Sequence, residues 1–204
     1  MSIYRILEHP WVFRASQHVL APGMDRIVTG HLVKIMAGVP GAAKILDVGC
    51  GPSSWLWKLG RQPVGLDLCH AYVRKFRLTD KKCVTASAAA LPFAADSFDM
   101  VFSFCLLHHL PEDLAGHVAR EMIRVTRPGG RVVVFDPVLP HYPWLRPVAW
   151  AICKLDRGRF IRSQADLESR ILQTAAWSTK RITHSYLGTE GLFCLLEKAP
   201  HSHA

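Results

Sequence analysis

Residues 44–59, KILDVGCGPSSWLWKL, constrain what this chain can fold into more than any other stretch. The apolar run closes in Asp-Val-Gly-Cys-Gly, which describes a buried strand breaking directly into a glycine-rich turn. In such a turn the backbone itself can touch a ligand. A second apolar run, residues 63–66, ends about twenty residues later in Asp67. There the second strand of a doubly wound sheet would present a carboxylate to a ribose diol. Together these features point to an adenosine-containing cofactor held at the carboxyl edge of a parallel sheet.

The rest of the chain alternates helix and strand patterns. Met24, Ile27, Val28, Leu32 and Ile35 share one helical face between Pro22-Gly23 and Gly38, predicting a helix over 24–36. Upstream, Tyr4, Leu7, Trp11, Val12 and Phe13 form an apolar, partly helical arm. After the glycine turn, Ser53 or Ser54 can cap a short helix ending near Gly60. Strands are predicted at 64–67, 82–86 and 98–104, with a helix at 70–78. Residues 111–125 make a helix with Leu114, Val118, Met122 and Val125 on one face, and with end charges that suit its dipole. Pro128-Gly129-Gly130 should turn the chain into a strand at 131–135. A last helix over 164–177 then leads to strands at 180–186 and 192–197, joined through Gly188 and Gly191 as an antiparallel hairpin. The alternation predicts an α/β fold with a parallel sheet.

Four blocks in order, ILDVGCG at 45–51, VGLDL at 64–68, LPFAADSFDMVFSFCLLHHL at 91–110 and RVTRPGGRVVVFD at 124–136, resemble the class I S-adenosylmethionine-dependent methyltransferases. Within that family the chain is similar to the small type 11-like domain of quinone, polyketide and lipid biosynthesis, over about 43–199. The resemblance implies a seven-stranded Rossmann-like sheet, mostly parallel with one antiparallel strand and helices on both faces, and S-adenosyl-L-methionine as cofactor. It divides the chain into an N-terminal helical cap (1–42), a cofactor-binding core (43–136), an acceptor lid (137–163) and a last helix with closing hairpin (164–204). Asp47, Gly49, Cys50, Gly51, Asp67, Leu68, Ser87, Ala88 and Phe104 are the cofactor-binding residues it implies. Asp47 would favour the cofactor's amino group, and Asp67 would accept from both ribose hydroxyls, a contact worth roughly 2–3 kcal/mol. The chain departs from the pattern at Ser53, the usual third glycine of the turn, and at Ser87, where an acidic residue commonly meets the adenine amino group. A dinucleotide cofactor would want a glycine where Ser54 stands, and would leave the LPF and RPGGR blocks unexplained.

A chain of 204 residues suits one domain that buries roughly 70% of its unfolded surface. Its 6 cysteines lack Cys-x-x-Cys spacing and read as reduced, buried thiols of a cytoplasmic protein. The first residues carry charge and proline where a signal peptide needs a clean apolar run. The most apolar stretch, 138–155, is too short and polar to span a bilayer, but can lie on a membrane surface. A net charge of +9 invites a nucleic-acid reading, but the basic residues are dispersed. Their densest cluster, Arg157, Arg159 and Arg162, suits a phosphate or carboxylate, or a solvated loop paired with Asp156 and Asp166.

Methyl transfer needs chiefly in-line placement of the acceptor, and proximity can supply on the order of 7–11 kcal/mol. For a hydroxyl acceptor a general base helps, and His108 or His109, following the fourth strand, stands where one can act. Asp136, ending the fifth strand, is a further candidate base or orienting group. No third ligand accompanies the histidines, so no metal is expected. Tyr142, Trp144, Trp150 and Phe160, with Arg159, lie in a proline-rich insertion that reads as a lid for an apolar acceptor. The function expected is methylation of a hydrophobic small molecule such as a quinone, polyketide, terpenoid or lipid. The alternative is a non-catalytic cofactor-binding protein that senses or scaffolds.

Overall fold

The computed structural model describes residues 21–156 and 158–200. The apolar arm at Tyr4, Leu7, Trp11, Val12 and Phe13, and Arg157 of the basic cluster, lie outside them. The elements are α1 (Met24–Met36), β1 (Ile45–Val48), β2 (Val64–Asp67), α2 (His70–Arg77), β3 (Cys83–Thr85), β4 (Phe98–Phe104), α3 (Glu112–Val125), β5 (Thr126–Val138), α4 (Pro147–Leu155), α5 (Gln164–Asp166), β6 (Ser178–Thr183) and β7 (Glu190–Glu197). Short 3-10 turns follow β1 (Trp55–Leu59), β4 (Leu107–His109) and β5 (Pro143–Leu145).

The strands form one seven-stranded sheet in the order β3-β2-β1-β4-β5-β7-β6. β1, β2, β3, β4 and β5 pair in parallel, and β7 runs antiparallel to both β5 and β6. The expected Rossmann-like methyltransferase sheet is therefore the one observed. Strand alternation sorts the core onto two faces. Val132 and Val134 of β5, Val101 of β4 and Leu46 and Val48 of β1 pack with Val118, Met122 and Val125 of α3. Val133, Phe135, Met100, Phe102 and Ile45 face Val28, Leu32 and Met36 of α1. The order of strands reverses between β1 and β4, so the crevice for a ligand opens above their carboxyl ends.

Three boundaries differ from expectation. Pro128-Gly129-Gly130 does not start a strand; it is a bulge inside a continuous β5, where the register to β4 shifts between Phe98 and Met100. The Gly129 amide donates to Lys198 O and the Lys198 amide to Gly130 O, so the bulge stays laced to the chain beyond β7. The last helix stops well short of 177: α5 opens into a wide π turn at Leu167–Ile171. Ile171, ending that turn, and Leu172, just after it, are both buried in the core. The closing strands sit earlier than predicted, with Gly191 inside β7 opposite Ile182 and only Gly188 in the loop at φ 80°. Ser185 and Thr189, joined through their hydroxyls at 2.5 Å, close that loop.

Candidate functional site

The glycine turn is pinned before any ligand arrives. The amides of Gly49 and Cys50 both donate to Leu66 O of β2, at 2.7 and 3.1 Å. Gly49 adopts φ 71°, and a Cβ there would stand 2.9 Å from the Leu106 side chain, so only glycine fits the turn as built. The Gly51 amide donates to Asp67 Oδ2 at 2.9 Å and the Cys69 amide to Oδ1 at 2.8 Å. Asp67 is thus a strut between the turn and the start of α2, and each of its oxygens keeps lone pairs for a ligand. Burial raises its pKa, opposed by those same amides.

Asp47 ends up deeper than the sequence suggests, only 2% exposed. One carboxylate oxygen, Oδ1, has no hydrogen-bond partner. Burial lifts its pKa to about 7, against a hydrogen bond from Ser54 and with repulsion from Asp67 added. A buried carboxylate with an orphaned oxygen is incomplete without a cation, and the ammonium of a methionyl group is one that would complete it.

A cavity of about 200 Å³ lies beside the turn, lined by Gly49, Leu66, Asp67, Leu68, Ser87, Ala88 and Ala89 on one side and by Leu106, Leu110, Leu114 and Val118 on the other. It gathers Gly49, Asp67, Leu68, Ser87 and Ala88 of the expected cofactor residues. Ser87 Oγ accepts from the Ala89 amide at 3.2 Å, and its own proton stays available to donate. Asp47, Cys50, Gly51 and Phe104 are not in the cavity wall. Cys50 turns its sulfur toward Cys83. Phe104 stacks between Trp55 and Phe135, with ring centroids 4.4 and 5.0 Å away. The apolar wall was missed from the sequence, although Leu110, Leu114 and Val118 recur every four residues at the entry to α3.

His108 and Asp136 come together. His108 Nδ1 lies 3.0 Å from Asp136 Oδ1, and its Nε2 lies 3.7 Å from Asp156 Oδ1. The ring is 4% exposed and does not line the cavity. Burial works against its protonation, but the two carboxylates prevail and its pKa is raised. With both nitrogens facing carboxylates, His108 can take a proton from an acceptor only if one contact opens. Asp136 also accepts from the Leu107 amide at 3.1 Å. His109 is exposed, its ring 4.1 Å from that of His108. Among the described residues no cluster of three metal-ligating side chains occurs.

The insertion after β5 is an anchored excursion. The Leu139 amide donates to Arg162 O, the Phe160 amide to His108 O, and the Arg162 guanidinium to Leu107 O and Leu110 O. A Cβ on Gly158 would overlap the His108 ring, so the strand edge and the insertion meet there without a gap. Arg162 is therefore a structural clamp and not a free anion contact, whereas Arg159 is exposed. Tyr142, Trp144 and Trp150 do not line the cavity. They stand out from the surface, Trp144 73% exposed, with Leu145 and Val148 beside them.

Fold and site define a class: an α/β domain with a ligand crevice above the carboxyl ends of β1 and β2. Residues 46–134 match the family described as "Methyltransferase domain". The methyltransferase GfsG of Streptomyces halstedii is 39% identical over 108 residues, 47% of this chain and 38% of that protein. A demethylmenaquinone methyltransferase of Beutenbergia cavernae is 37% identical over 131 residues, 62% of this chain and 52% of that one. The chain thus spans about half or less of the length of these curated relatives. Among solved structures, a SAM-dependent methyltransferase from Thermotoga maritima superposes with a TM-score of 0.69 at 14% identity, over 96% of this chain and 100% of the other. Over residues 46–134 the chain is similar to that methyltransferase-domain family, and the similarity implies S-adenosyl-L-methionine as the cofactor.

Proposed function

We propose that the protein transfers the methyl group of S-adenosyl-L-methionine to an apolar small molecule of quinone, polyketide, terpenoid or lipid-like kind. The observation that carries the acceptor class is the exposed apolar crest of Tyr142, Trp144, Leu145 and Val148, on an insertion that leaves the sheet at the carboxyl end of β5. Exposed aromatic surface of this kind favours an apolar guest. The demethylmenaquinone methyltransferase among the relatives acts on a molecule of that class, as its name states.

When bound, the cofactor supplies a methyl group already activated by its sulfonium. The chain's own part is placement. Asp67 holds the ribose while bracing the glycine turn, Asp47 compensates the amino group, and the Leu106, Leu110, Leu114 and Val118 wall excludes water from the adenosyl side. His108, fixed by Asp136 and Asp156, ties the insertion that bears the crest to the carboxyl end of β5. Proximity of this kind can account for much of the barrier reduction. No helix among the described residues is long and apolar enough to cross a membrane. The crest offers instead a peripheral hold on a lipid surface, where such acceptors dissolve.

The test is a transfer assay with methyl-tritiated cofactor and fractionated metabolite extracts. Label is expected in the organic phase. Label confined to polar products would overturn the acceptor class, and bound cofactor with no transfer to any fraction would favour the sensing or scaffolding alternative.

A further inference from the structure

Cys50 and Cys83 are 33 residues apart in the chain and show no motif spacing, yet their sulfurs lie 3.7 Å apart. Both are nearly sealed, at 7% and 3% exposure, in a small cluster with Val73 and Phe76 against α2. The room for them comes from Gly65 of β2. A Cβ on that residue would fall 2.8 Å from the Cys50 sulfur and 2.9 Å from the Cys83 sulfur, so the two thiols share the space its side chain would take. Cys50 is the central residue of the cofactor turn, between Gly49 and Gly51. Cys83 begins β3, a three-residue strand at the outer edge of the sheet.

We propose that Cys50 and Cys83 form a reversible disulfide that switches off cofactor binding under peroxide. The structure distinguishes the partners. Cys83 is the thiol drawn toward the thiolate, chiefly through its hydrogen bond with Cys50, with the Arg77 guanidinium adding to the effect and burial opposing it. The Arg77 Nε–H group also donates to Cys83 O at 2.8 Å, which keeps that charge in place. Local opening of the short edge strand admits a small neutral oxidant. The Cys83 thiolate attacks one peroxide oxygen, the O–O bond breaks, and a sulfenic acid and hydroxide form. The Cys50 sulfur then attacks the sulfenyl sulfur, its proton leaving with the hydroxyl as water. Two thiols lose two electrons and one hydrogen peroxide becomes two waters, the hydroxide taking up the proton that Cys83 gave.

A disulfide requires sulfurs about 2.05 Å apart, so the pair must close by about 1.7 Å from its present 3.7 Å. That approach is shared between the short edge strand and the turn, and any displacement of Cys50 carries Gly51 with it. The Gly51 amide is then pulled off Asp67 Oδ2, and the backbone that meets the cofactor shifts with it. Oxidation and binding are thus antagonistic, and bound cofactor should slow the oxidation.

The experiment uses the full chain. Affinity for S-adenosyl-L-homocysteine is measured by calorimetry for the reduced protein, after hydrogen peroxide, and again after dithiothreitol, while peptide mapping under non-reducing conditions reads the disulfide independently. Expected are a linked Cys50–Cys83 peptide, at least tenfold weaker binding, and recovery on reduction. Cys83→Ser should bind normally when reduced and keep its affinity in peroxide, and Cys69→Ser, which removes the exposed thiol nearby, should respond like wild type. If Cys83→Ser fails to fold, Cys83→Ala and the wild-type peptide map carry the same test. Absence of the linked peptide, or its presence with unchanged affinity, would overturn the switch. Failure of the reduced protein to bind at all would count against the cofactor assignment instead, and the peptide map would still decide the disulfide.

Discussion

Asp47→Asn should make the protein more stable and less able to bind its cofactor, and the two effects should separate by pH. In the folded chain the Asp47 carboxyl titrates near 7 instead of the ordinary 3.8, because burial penalises its charge and Oδ1 has no partner. A raised acid pKa means that the folded state holds its proton more tightly than the unfolded chain does. The carboxyl's contribution is therefore most favourable below about pH 3.8, declines as pH rises through the window to about 7, and is flat above it. At about 1.36 kcal/mol per pH unit, the ionised group costs roughly 4 kcal/mol above pH 7 without ligand. Asparagine has nearly the same shape and no charge, so that cost disappears. Chemical denaturation of the ligand-free proteins should find Asp47→Asn more stable at pH 8 by an amount approaching ~4 kcal/mol, with the difference shrinking toward pH 4. Cofactor binding should move the other way: wild-type affinity rises as Asp47 ionises up to about pH 7, and the variant loses this dependence along with affinity. A pH-independent stability difference, or a variant less stable than wild type at pH 8, would refute the reasoning.

Asp67→Ala removes the proposed ribose acceptor together with the strut to the Gly51 and Cys69 amides. Calorimetry should show cofactor affinity weaker by roughly 30- to 150-fold, the equivalent of ~2–3 kcal/mol; unchanged affinity would place the ribose elsewhere. Trp144→Ala, at a side chain 73% exposed, should leave melting temperature and cofactor affinity unaltered while raising the KM for an apolar acceptor. Equal KM values in wild type and variant would remove the crest from acceptor binding. His108, whose pKa is raised in the folded chain, contributes stability that is complete below its unfolded pKa near 6.5 and is lost as pH climbs through the folded value. His108→Asn should therefore cost most stability on the acid side of neutrality, and denaturation curves at pH 6 and 9 measure this. His184 is the opposite case, held down to about 4 mainly by burial, so it should destabilise the fold as pH falls from about 6.5 to 4, and His184→Met should relieve that acid sensitivity.

The order of β1 to β4, the glycine turn and Asp67 were all legible in the sequence because each rests on local chemistry. A buried strand needs a continuous apolar run, a ligand-facing turn needs positive φ, and a strand-end acid follows at a set distance. The helix over 24–36 was legible for the same reason, since its buried face repeats every four residues. The bulge at Gly129 and the π turn after α5 were not, because each is imposed by a partner: β4 and Lys198 for the first, the α3 core for the second. Likewise the sequence identified His108 and Asp136 as candidates one at a time. Only the tertiary structure set them 3.0 Å apart, added Asp156, and held the candidate base between two carboxylates. The cysteines show the limit most clearly. By spacing they are unrelated, and the parallel pairing of β2 between β1 and β3, with a glycine at residue 65, is what brings Cys50 and Cys83 face to face. Periodicity and turn chemistry are properties of neighbouring residues and can be read along the chain, whereas contact between distant side chains depends on strand order and register, which exist only once the sheet has formed.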